Sequence, residues 1–275
     1  MKKLLTIIMI ALLIGGAVFL LVFKGGNKFD GTKETPDFEI KDNGLLLNTD
    51  KSRYNPKEEV YFQIASLDKD GDSNCEADLE LQISGPEDND IKLTTEDGTI
   101  SKTPNCGTSG SSNDPDYTAF IEPVEEGIYD LKLTDLKTNE FVGSFFIVGN
   151  SEAELSVTRW GPSKAINDGK TRNPMKFILA SANDFEGQLI EAVPVDVEIV
   201  WQGAASVSTS ANQAGKTLTW DISLKAGEEK DLSYEYLVKP GSSGIMTLGK
   251  AKLISGRDEV IYEEEKPWII VVTDN

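Results

Sequence analysis

The sequence predicts an all-β protein of two tandem β-sandwiches that follow a single N-terminal transmembrane helix. Three observations support this fold class. The first is an uncharged apolar run of twenty residues, Leu4–Phe23. The second is an alternation of apolar and polar residues that begins at Leu45 and recurs along the chain, since a period of two places one face of each strand in a core. The third is that no stretch beyond the apolar run keeps a helical period.

The apolar run predicts a membrane anchor. A helix of about twenty apolar residues spans a hydrocarbon core roughly 30 Å thick. Lys2 and Lys3 precede the run and favour an orientation with the N-terminus inside and the bulk of the chain extracytoplasmic. A cleavable signal peptide has a shorter apolar stretch and a small-residue cleavage site, and the run continues to Phe23 without such a site. We expect residues 1–24 to form an uncleaved signal anchor, with a cleaved signal as the alternative.

Composition divides the remaining chain into four segments. Residues 25–44 are polar and punctuated by glycine, as in a flexible stalk. Residues 45–148 and 155–275 each contain short alternating strands separated by turn clusters, which is typical of a β-sandwich. Residues 149–154 form a short polar joint between them. The sequence therefore predicts two folded modules held outside the membrane.

Each predicted strand places apolar residues at every second position. In the first module these positions are Val60, Phe62, Ile64, Leu79, Leu81, Ile83, Tyr129, Leu131, Leu133, Phe141, Phe145 and Ile147. In the second module they are Val195, Val197, Ile199, Leu218, Trp220, Ile222, Leu224, Leu232, Tyr234, Tyr236, Val238, Trp268, Ile270 and Val272. The intervening residues, such as Tyr61, Gln63 and Ala65, are expected to face water.

The charge of the chain excludes some partners. Residues 25–275 contain 24 basic and 46 acidic residues, a net charge of −22. Such a surface repels phosphate backbones and anionic headgroups, so we predict no nucleic-acid binding and no docking to a lipid surface. Such a charge is explained by a requirement for solubility or by adaptation to a salty medium. An acidic binding site for a cationic partner is the alternative.

The two cysteines, Cys75 and Cys106, are predicted to form a disulfide. Both lie among glycine, serine, asparagine and aspartate residues, and a pair in polar loops outside the membrane normally oxidises. The alternative is a two-cysteine metal site. The chain contains no histidine that would complete such a site.

Three aspartates raise the question of calcium. Asp68, Asp70 and Asp72 have the spacing of the first three ligands of a calcium loop. The glycine and the glutamate expected at the sixth and twelfth positions are Ser73 and Leu79, so the motif is incomplete. A hairpin turn explains the same residues without a metal. We predict no cofactor, and a weak Ca²⁺ site at the three aspartates is the alternative.

The sequence contains no catalytic constellation, and we predict that the protein is not an enzyme. Without histidine the usual proton shuttle is missing. Neither a Gly-x-Ser-x-Gly elbow nor a dinucleotide-binding glycine pattern occurs. Acidic runs such as Glu263-Glu264-Glu265 are expected to be solvated. We expect the four tryptophans to occupy core positions, and stacking on carbohydrate is the alternative. They are Trp160, Trp201, Trp220 and Trp268.

The first module resembles a known family. Asp50–Val60 has the pattern D-K-x-x-Y-x-P-x-E-x-V, and Gly85-Pro86 and Glu126-Gly127-Ile128-Tyr129 follow it. These segments resemble the immunoglobulin-like macroglobulin-type domains of large surface proteins over about residues 45–148. The thioester motif Cys-Gly-Glu-Gln of protease-trapping relatives is absent, because Cys106-Gly107 is followed by Thr108-Ser109. The resemblance implies an Ig-like fold and no covalent trap.

The second module has a resemblance of its own. The segments Glu186–Pro194 and Thr219–Glu229 resemble repeat-type Ig-like modules of bacterial and archaeal cell-surface proteins, over about residues 155–273. There a strand ends at Val-Pro and a turn of the form apolar-Lys-Ala-Gly-Glu recurs. Both resemblances imply location and fold, so the sequence predicts two tandem Ig-like β-sandwiches.

These expectations lead to a functional prediction. We expect a structural or adhesive protein of the cell membrane that displays two Ig-like binding or spacer modules to an unidentified protein or glycan partner at the cell surface. The alternative is a non-catalytic accessory subunit of an envelope assembly, such as a secretion, filament or folding complex. Such a subunit would contact its partner by edge-strand addition.

Overall fold

The secondary-structure elements in the described part of the chain are β-strands. This confirms the predicted all-β class for that part. The computed structural model describes residues 44–86, 89–107, 115–149, 155–201, 206–209, 215–256 and 259–273. Within these ranges no helix has the length and apolar character needed to cross a membrane. The predicted anchor, Leu4–Phe23, and the predicted stalk up to residue 43 lie outside the described residues.

Two sheets enclose the first hydrophobic core. The strands of this part are β1 (Leu45–Thr49), β2 (Arg53–Tyr54), β3 (Val60–Ser66), β4 (Leu79–Ser84), β5 (Asp90–Thr94), β6 (Ser101–Lys102), β7 (Tyr117–Ile121), β8 (Gly127–Asp135) and β9 (Phe141–Val148). One sheet has the order β1-β3-β7-β6 and the other β2-β9-β8-β4-β5. Phe62 of β3, Leu81 of β4 and Phe146 of β9 belong to the core between them. This arrangement is a β-sandwich.

A second core lies among three further sheets. Their strands are β10 (Leu155–Trp160), β11 (Lys164–Ile166), β12 (Asn173–Ser181), β13 (Phe185–Pro194), β14 (Val197–Trp201), β15 (Ser206–Thr209), β16 (Gly215–Leu224), β17 (Glu229–Val238), β18 (Gly244–Leu248), β19 (Lys252–Ser255), β20 (Val260–Glu263) and β21 (Trp268–Thr273). The sheet orders are β10-β12-β17-β14, β15-β16-β13-β19-β20 and β11-β21-β18. Phe177 and Tyr234 of the first of these sheets pack against Trp220 of the second in this core. These two sheets form a second β-sandwich.

The alternating sequence pattern produces these strands directly. In β12 buried and partly buried residues alternate without interruption from Asn173 to Ser181, as expected for a strand with one face in a core. The predicted strand at Val195 differs, because β14 begins at Val197 and Val195 is 49% exposed. The chain crosses from one sheet to another between β13 and β14, so the residues after Pro194 form a turn.

Candidate functional site: the seam between the sandwiches

Strands β1, β3 and β21 have buried residues on both of their faces. Leu45 and Leu47 of β1 face the first core, whereas Leu46 belongs to a separate apolar cluster. That cluster contains Leu46, Ala65, Ile269 and Val271, flanked by Leu67 and Ile245. Residues of both sandwiches meet in it, and all described residues belong to one compact unit. We call this contact the seam.

The prediction that one face of β3 meets water is wrong for Gln63 and Ala65. These side chains are 1% and 0% exposed. A period of two identifies two faces of a strand, but it does not specify whether water or another sheet covers the second face. At Ala65 the cover is β21, because Ile269 and Val271 lie outside the second core and pack with Ala65 and Leu46 of the first sandwich.

Polar contacts fix the position of the two sandwiches at the seam. The buried amide of Asn48 donates from Nδ2 to the carbonyl oxygen of Ile269 at 2.8 Å and accepts from the Ile269 backbone N–H at 3.3 Å. The backbone N–H of Arg159 donates to the carbonyl oxygen of Asp50 at 2.9 Å. Ion pairs cross the seam at two places, Arg53–Glu265 at 2.7 Å and Lys164–Asp116 at 3.0 Å.

A buried ion cluster lies next to the seam in the second sandwich. Arg159 Nη2 is 2.8 Å from Glu191 Oε1, and Arg159 Nη1 is 3.4 Å from Glu264 Oε2. These three side chains are between 0% and 7% exposed. The guanidinium also lies 4.7 Å from the centre of the Phe177 ring, within the range of a cation–π contact. Glu264 is therefore buried, and the expectation of a solvated Glu263-Glu264-Glu265 run is wrong at its central residue.

The cluster holds one guanidinium against two carboxyl groups. Burial raises the pKa of Glu191 to about 7, although the charge of Arg159 partly opposes the shift. Burial also raises the pKa of Glu264, again against the effect of Arg159. Both carboxylates are thus difficult to keep ionised away from water and depend on Arg159 as their counter-charge.

Lys266 brings another buried charge to the seam. It is 7% exposed, and its Nζ donates to the Ser144 hydroxyl of β9 at 2.9 Å. Burial lowers the pKa of Lys266 to about 7, opposed by the negative charges of Glu264 and Asp50. Because this pKa lies below the value of about 10.4 expected in an unfolded chain, the unfolded chain binds the proton more tightly than the folded chain does.

We expect the contribution of Lys266 to the free energy of unfolding to rise with pH between 7 and 10. As pH falls, this contribution decreases over the same range and is lost once the pH has passed 7. Relative to Lys266→Met, the wild-type free energy of unfolding should increase by about 2 kcal/mol from pH 7 to pH 9. Urea unfolding of both proteins at pH 7, 8 and 9 measures this difference. A difference that does not change with pH would show that the ammonium group is not desolvated in the folded protein.

A groove opens beside the seam. It encloses about 420 Å³, and Tyr61 and Gln63 of β3 line it together with Trp160 at the end of β10. The rings of Tyr61 and Trp160 lie 5.1 Å apart at an angle of 44°. Gln63 contributes an amide whose Nε2 and Oε1 atoms have no hydrogen-bond partner among the described residues. The groove thus combines aromatic surface with an unpaired polar group.

The disulfide predicted from the sequence is present. Cys75, between β3 and β4, is bonded to Cys106, between β6 and β7, with their Cα atoms 5.8 Å apart. It joins two long connections of the first sandwich. Because both sulfur atoms are in this bond, neither is available for the alternative two-cysteine metal site.

The three aspartates of the calcium hypothesis lie in a turn. Asp68 Oδ1 accepts hydrogen bonds from the backbone N–H groups of Asp70 and Asp72, at 2.9 and 3.1 Å. Gly71 has a φ of +86°, a conformation that glycine adopts at little cost. In the described ranges, no group of three or more histidine, cysteine, aspartate or glutamate side chains is arranged to hold a metal ion. The weak Ca²⁺ site stays a prediction.

The four tryptophans occupy different environments. Trp220 and Trp268 are core residues, 2% and 3% exposed. Trp160 is half-buried in the groove, and Trp201 is 48% exposed. The expectation of a core position is therefore wrong for Trp201, which lies at the end of an edge strand where a bulge interrupts the pairing with β17.

The similarity of this chain to known proteins is weak. No family model matches the chain, and no curated protein matches it. Among solved structures, an α2-macroglobulin variant from Salmonella has a TM-score of 0.30 and 13% identity, over 83% of this chain and 14% of that chain. Elastase-activated α2-macroglobulin from Escherichia coli has a TM-score of 0.28 and 12% identity, over 88% and 22%.

A smaller protein is also similar to part of the chain. A chitin-binding domain from Streptomyces coelicolor has a TM-score of 0.26 and 17% identity, over 37% of this chain and 91% of that domain. The chain spans less than a quarter of the length of the macroglobulins that it matches. All three TM-scores are low, and the fold is defined by the sheet orders and the two cores of the chain itself.

Proposed function

We propose that the chain is a membrane-anchored extracytoplasmic protein that displays two Ig-like sandwiches as one stiff arm, with a structural or adhesive role at the cell surface. The seam is the observation that supports this proposal most directly. Its apolar cluster, the paired amide of Asn48 and the crossing ion pairs all restrict hinge motion between the sandwiches. Interfaces without such a buried contact usually allow neighbouring domains to move.

Two properties support an extracytoplasmic location. The bond between Cys75 and Cys106 is of a kind that persists in oxidising compartments and is rare in the cytosol. The net charge of −22 over residues 25–275 favours solubility and discourages non-specific attachment to anionic membranes and nucleic acids. Both are properties that suit a displayed arm.

Surface labelling tests the proposed location. Intact cells that express the full chain are treated with a membrane-impermeant amine-reactive biotin reagent, which modifies exposed lysines such as Lys69, 85% exposed at its side chain. We expect biotin on the protein before lysis. A cytosolic protein of the same cells is the control and should stay unlabelled. Labelling of this chain only after lysis would place it inside the cell and overturn the proposal.

One observation favours a second candidate function, that of an accessory subunit in an envelope assembly. Strand β20 is the last strand of its sheet, and it carries Val260 and Ile261 at 49% and 39% exposure. Exposed apolar residues on an edge strand favour pairing with a strand of another chain. An assembly subunit should co-purify with membrane partners after mild detergent extraction, whereas a displayed adhesive arm should bind its ligand alone.

A further inference from the structure

We propose that the open edge of strand β7 binds an extended basic segment of a partner protein, which pairs antiparallel with Phe120 and places a lysine or arginine beside Glu122. This inference deepens the proposed function and rests on it, because it names a partner class for the displayed arm.

Part of β7 has no neighbour on one of its sides. Strand β3 pairs with β7 along its whole length, from Tyr117 to Ile121. On the other side β6 reaches only Tyr117 and Thr118. Within the described ranges no strand continues the sheet beside Phe120, so the last residues of β7 form an open edge.

The backbone of Phe120 faces this edge. In an antiparallel sheet the N–H and C=O groups of successive residues point alternately to the two neighbouring strands. Thr103 N–H donates to the carbonyl oxygen of Asp116 at 3.0 Å, so residues 116, 118 and 120 point to the side of β6. Thr118 pairs there with Ser101, but among the described residues neither backbone group of Phe120 has a partner. Unpaired groups of this kind are a template for an added strand.

The Phe120 side chain adds apolar surface beside the edge. It is 58% exposed and lies opposite Tyr61 of β3. The ring of Tyr61 in turn lies 5.1 Å from that of Trp160, measured between ring centres. An apolar side chain opposite Phe120 would therefore extend an aromatic surface that runs from β7 to the seam, and such cross-strand contacts stabilise a sheet.

The charges next to Phe120 specify a basic partner. Glu59 and Glu122 follow the last cross-strand pair of β3 and β7, Val60 with Ile121, so the register places the two glutamates side by side. Both are exposed, and like charges in opposite positions of two strands destabilise the pair. No salt bridge between described residues includes either carboxylate, although Lys57 lies two positions before Glu59. A lysine or arginine on an added strand would relieve this repulsion.

The same charges disfavour a second copy of this chain as the partner. A second β7 would bring its own Glu122 to the edge, on a chain with a net charge of −22 over residues 25–275. Two such chains repel each other, whereas a basic strand is attracted.

The direction of the sheet predicts a sequence pattern for the partner. The pairings of β1, β3, β7 and β6 are antiparallel, and in an antiparallel pair both backbone groups of Phe120 bond to one partner residue. The partner residue two positions earlier then lies on the same face, beside Glu122. The pattern is therefore a basic residue two positions before an apolar or aromatic residue.

Fluorescence anisotropy with a labelled peptide tests the proposal. The full chain is purified in detergent and titrated into acetyl-Thr-Lys-Val-Phe-Thr-Gly-amide with a fluorophore at its C-terminus. The control peptide is methylated at the backbone nitrogen of its phenylalanine, so it keeps the charge but cannot donate to the Phe120 carbonyl oxygen. We expect the control to bind at least about tenfold more weakly. Equal affinities, as general attraction to an acidic protein would give, or no binding of either peptide, would overturn the proposal.

Variants connect the affinity to β7. Glu122→Lys should weaken binding by at least about tenfold, and a peptide with glutamate in place of its lysine should bind this variant better than the wild type. Phe120→Thr should weaken binding by about fivefold. Its melting temperature should change little, because the ring is exposed. Val260→Thr, at an exposed apolar residue of edge strand β20, is the matched control and should bind as the wild type does. Lost binding in Val260→Thr alone would assign the peptide to β20 and contradict the proposal.

Sedimentation velocity of the full chain without peptide tests the other occupant. We expect the wild type and Phe120→Thr to have the same mass. A wild-type dimer that Phe120→Thr dissociates would show that a second copy occupies the edge, against the proposal.

These results are independent of the surface-labelling experiment. If the chain is labelled on intact cells but the two peptides bind equally, the partner assignment fails and the display proposal stands. If the peptides differ as expected but labelling requires lysis, the display proposal fails instead.

Discussion

Replacing Arg159 with methionine is expected to lower the free energy of unfolding by about 3–5 kcal/mol. The guanidinium contacts Glu191 at 2.8 Å and Glu264 at 3.4 Å, in a site that is almost closed to water. Methionine fills much of the same volume but removes the counter-charge that Glu191 and Glu264 share, and only the weaker effect of lysines such as Lys266 remains at Glu264. Chemical unfolding of the wild type and of Arg159→Met at pH 8 measures the loss.

The pH dependence of this loss separates charge from packing. Burial raises the pKa of Glu191 to about 7, so at pH 5 the carboxyl is mostly protonated in the folded protein and needs no counter-charge. The effect of Arg159→Met should therefore be smaller at pH 5 than at pH 8. An equal loss at both values would mean that arginine acts there through packing alone.

A surface ion pair supplies the matched control. Arg172 Nη1 is also 2.8 Å from a carboxylate oxygen, that of Glu235, but the arginine side chain is 65% exposed. Exposed pairs contribute about 0–1 kcal/mol. Arg172→Met should therefore have little effect at either pH, although the distance is the same as in the buried pair.

Removing the disulfide is expected to cost about 3–4 kcal/mol. Cys75 and Cys106 are 31 positions apart, and a closed loop of this length restricts the unfolded chain by about that amount in the chain-entropy estimate. For a protein of this size the loss corresponds to a fall in melting temperature of about 10 °C. Thermal melting of the wild type and of the double variant Cys75→Ala/Cys106→Ala measures it.

Reductant provides the control for the double variant. It should lower the melting temperature of the wild type towards that of Cys75→Ala/Cys106→Ala and leave the double variant unchanged. If the melting temperatures of the oxidised wild type and the double variant agree within about 2 °C, other contacts hold the connection around Cys75. The bond between Tyr117 Oη and the carbonyl oxygen of Asn74, at 2.7 Å, is such a contact.

The alternating pattern predicted the strands well because it depends on one local property, the presence of an apolar face along each strand. Residues such as Phe62 and Leu81 recur at every second position and lie in the first core. The disulfide was predictable from a different property, the compartment implied by the apolar run. Neither property contains information about which strands meet at a distance along the chain, so the seam was not predicted.

The sequence does contain signals of the seam. Leu45-Leu46-Leu47 and Trp268–Val272 are continuous apolar runs, and such runs are typical of strands buried on both faces. These are the segments that meet at the seam. Which sheet covers the second face follows only from the three-dimensional structure, and so does the pairing of Tyr61 with Trp160 in the groove.

The ion cluster also has a signal in the sequence. Arg159 follows Leu155 and Val157 at every second position, and Glu191 lies between Leu189 and Val193 in the same way. When residues of opposite charge occupy alternating positions that are otherwise apolar in two strands, the pattern indicates a buried ion pair. Glu264 has no such pattern, because it lies outside the strands, between β20 and β21. There its Oε2 is 3.4 Å from Arg159 Nη1 and accepts a hydrogen bond from the backbone N–H of Ala251 at 2.7 Å.

The covering of β1 and β3 by β21 also sets an order for biosynthesis. Asn48 and Ile269 are 221 positions apart, so at translation rates of about 5–20 residues per second the partner of β1 emerges from the ribosome at least roughly ten seconds later. Until then Leu46 and Ala65 remain uncovered on the nascent chain. A chain that ends before residue 268 would keep this apolar surface exposed permanently. Such a truncated chain would be a substrate for chaperones and quality-control proteases.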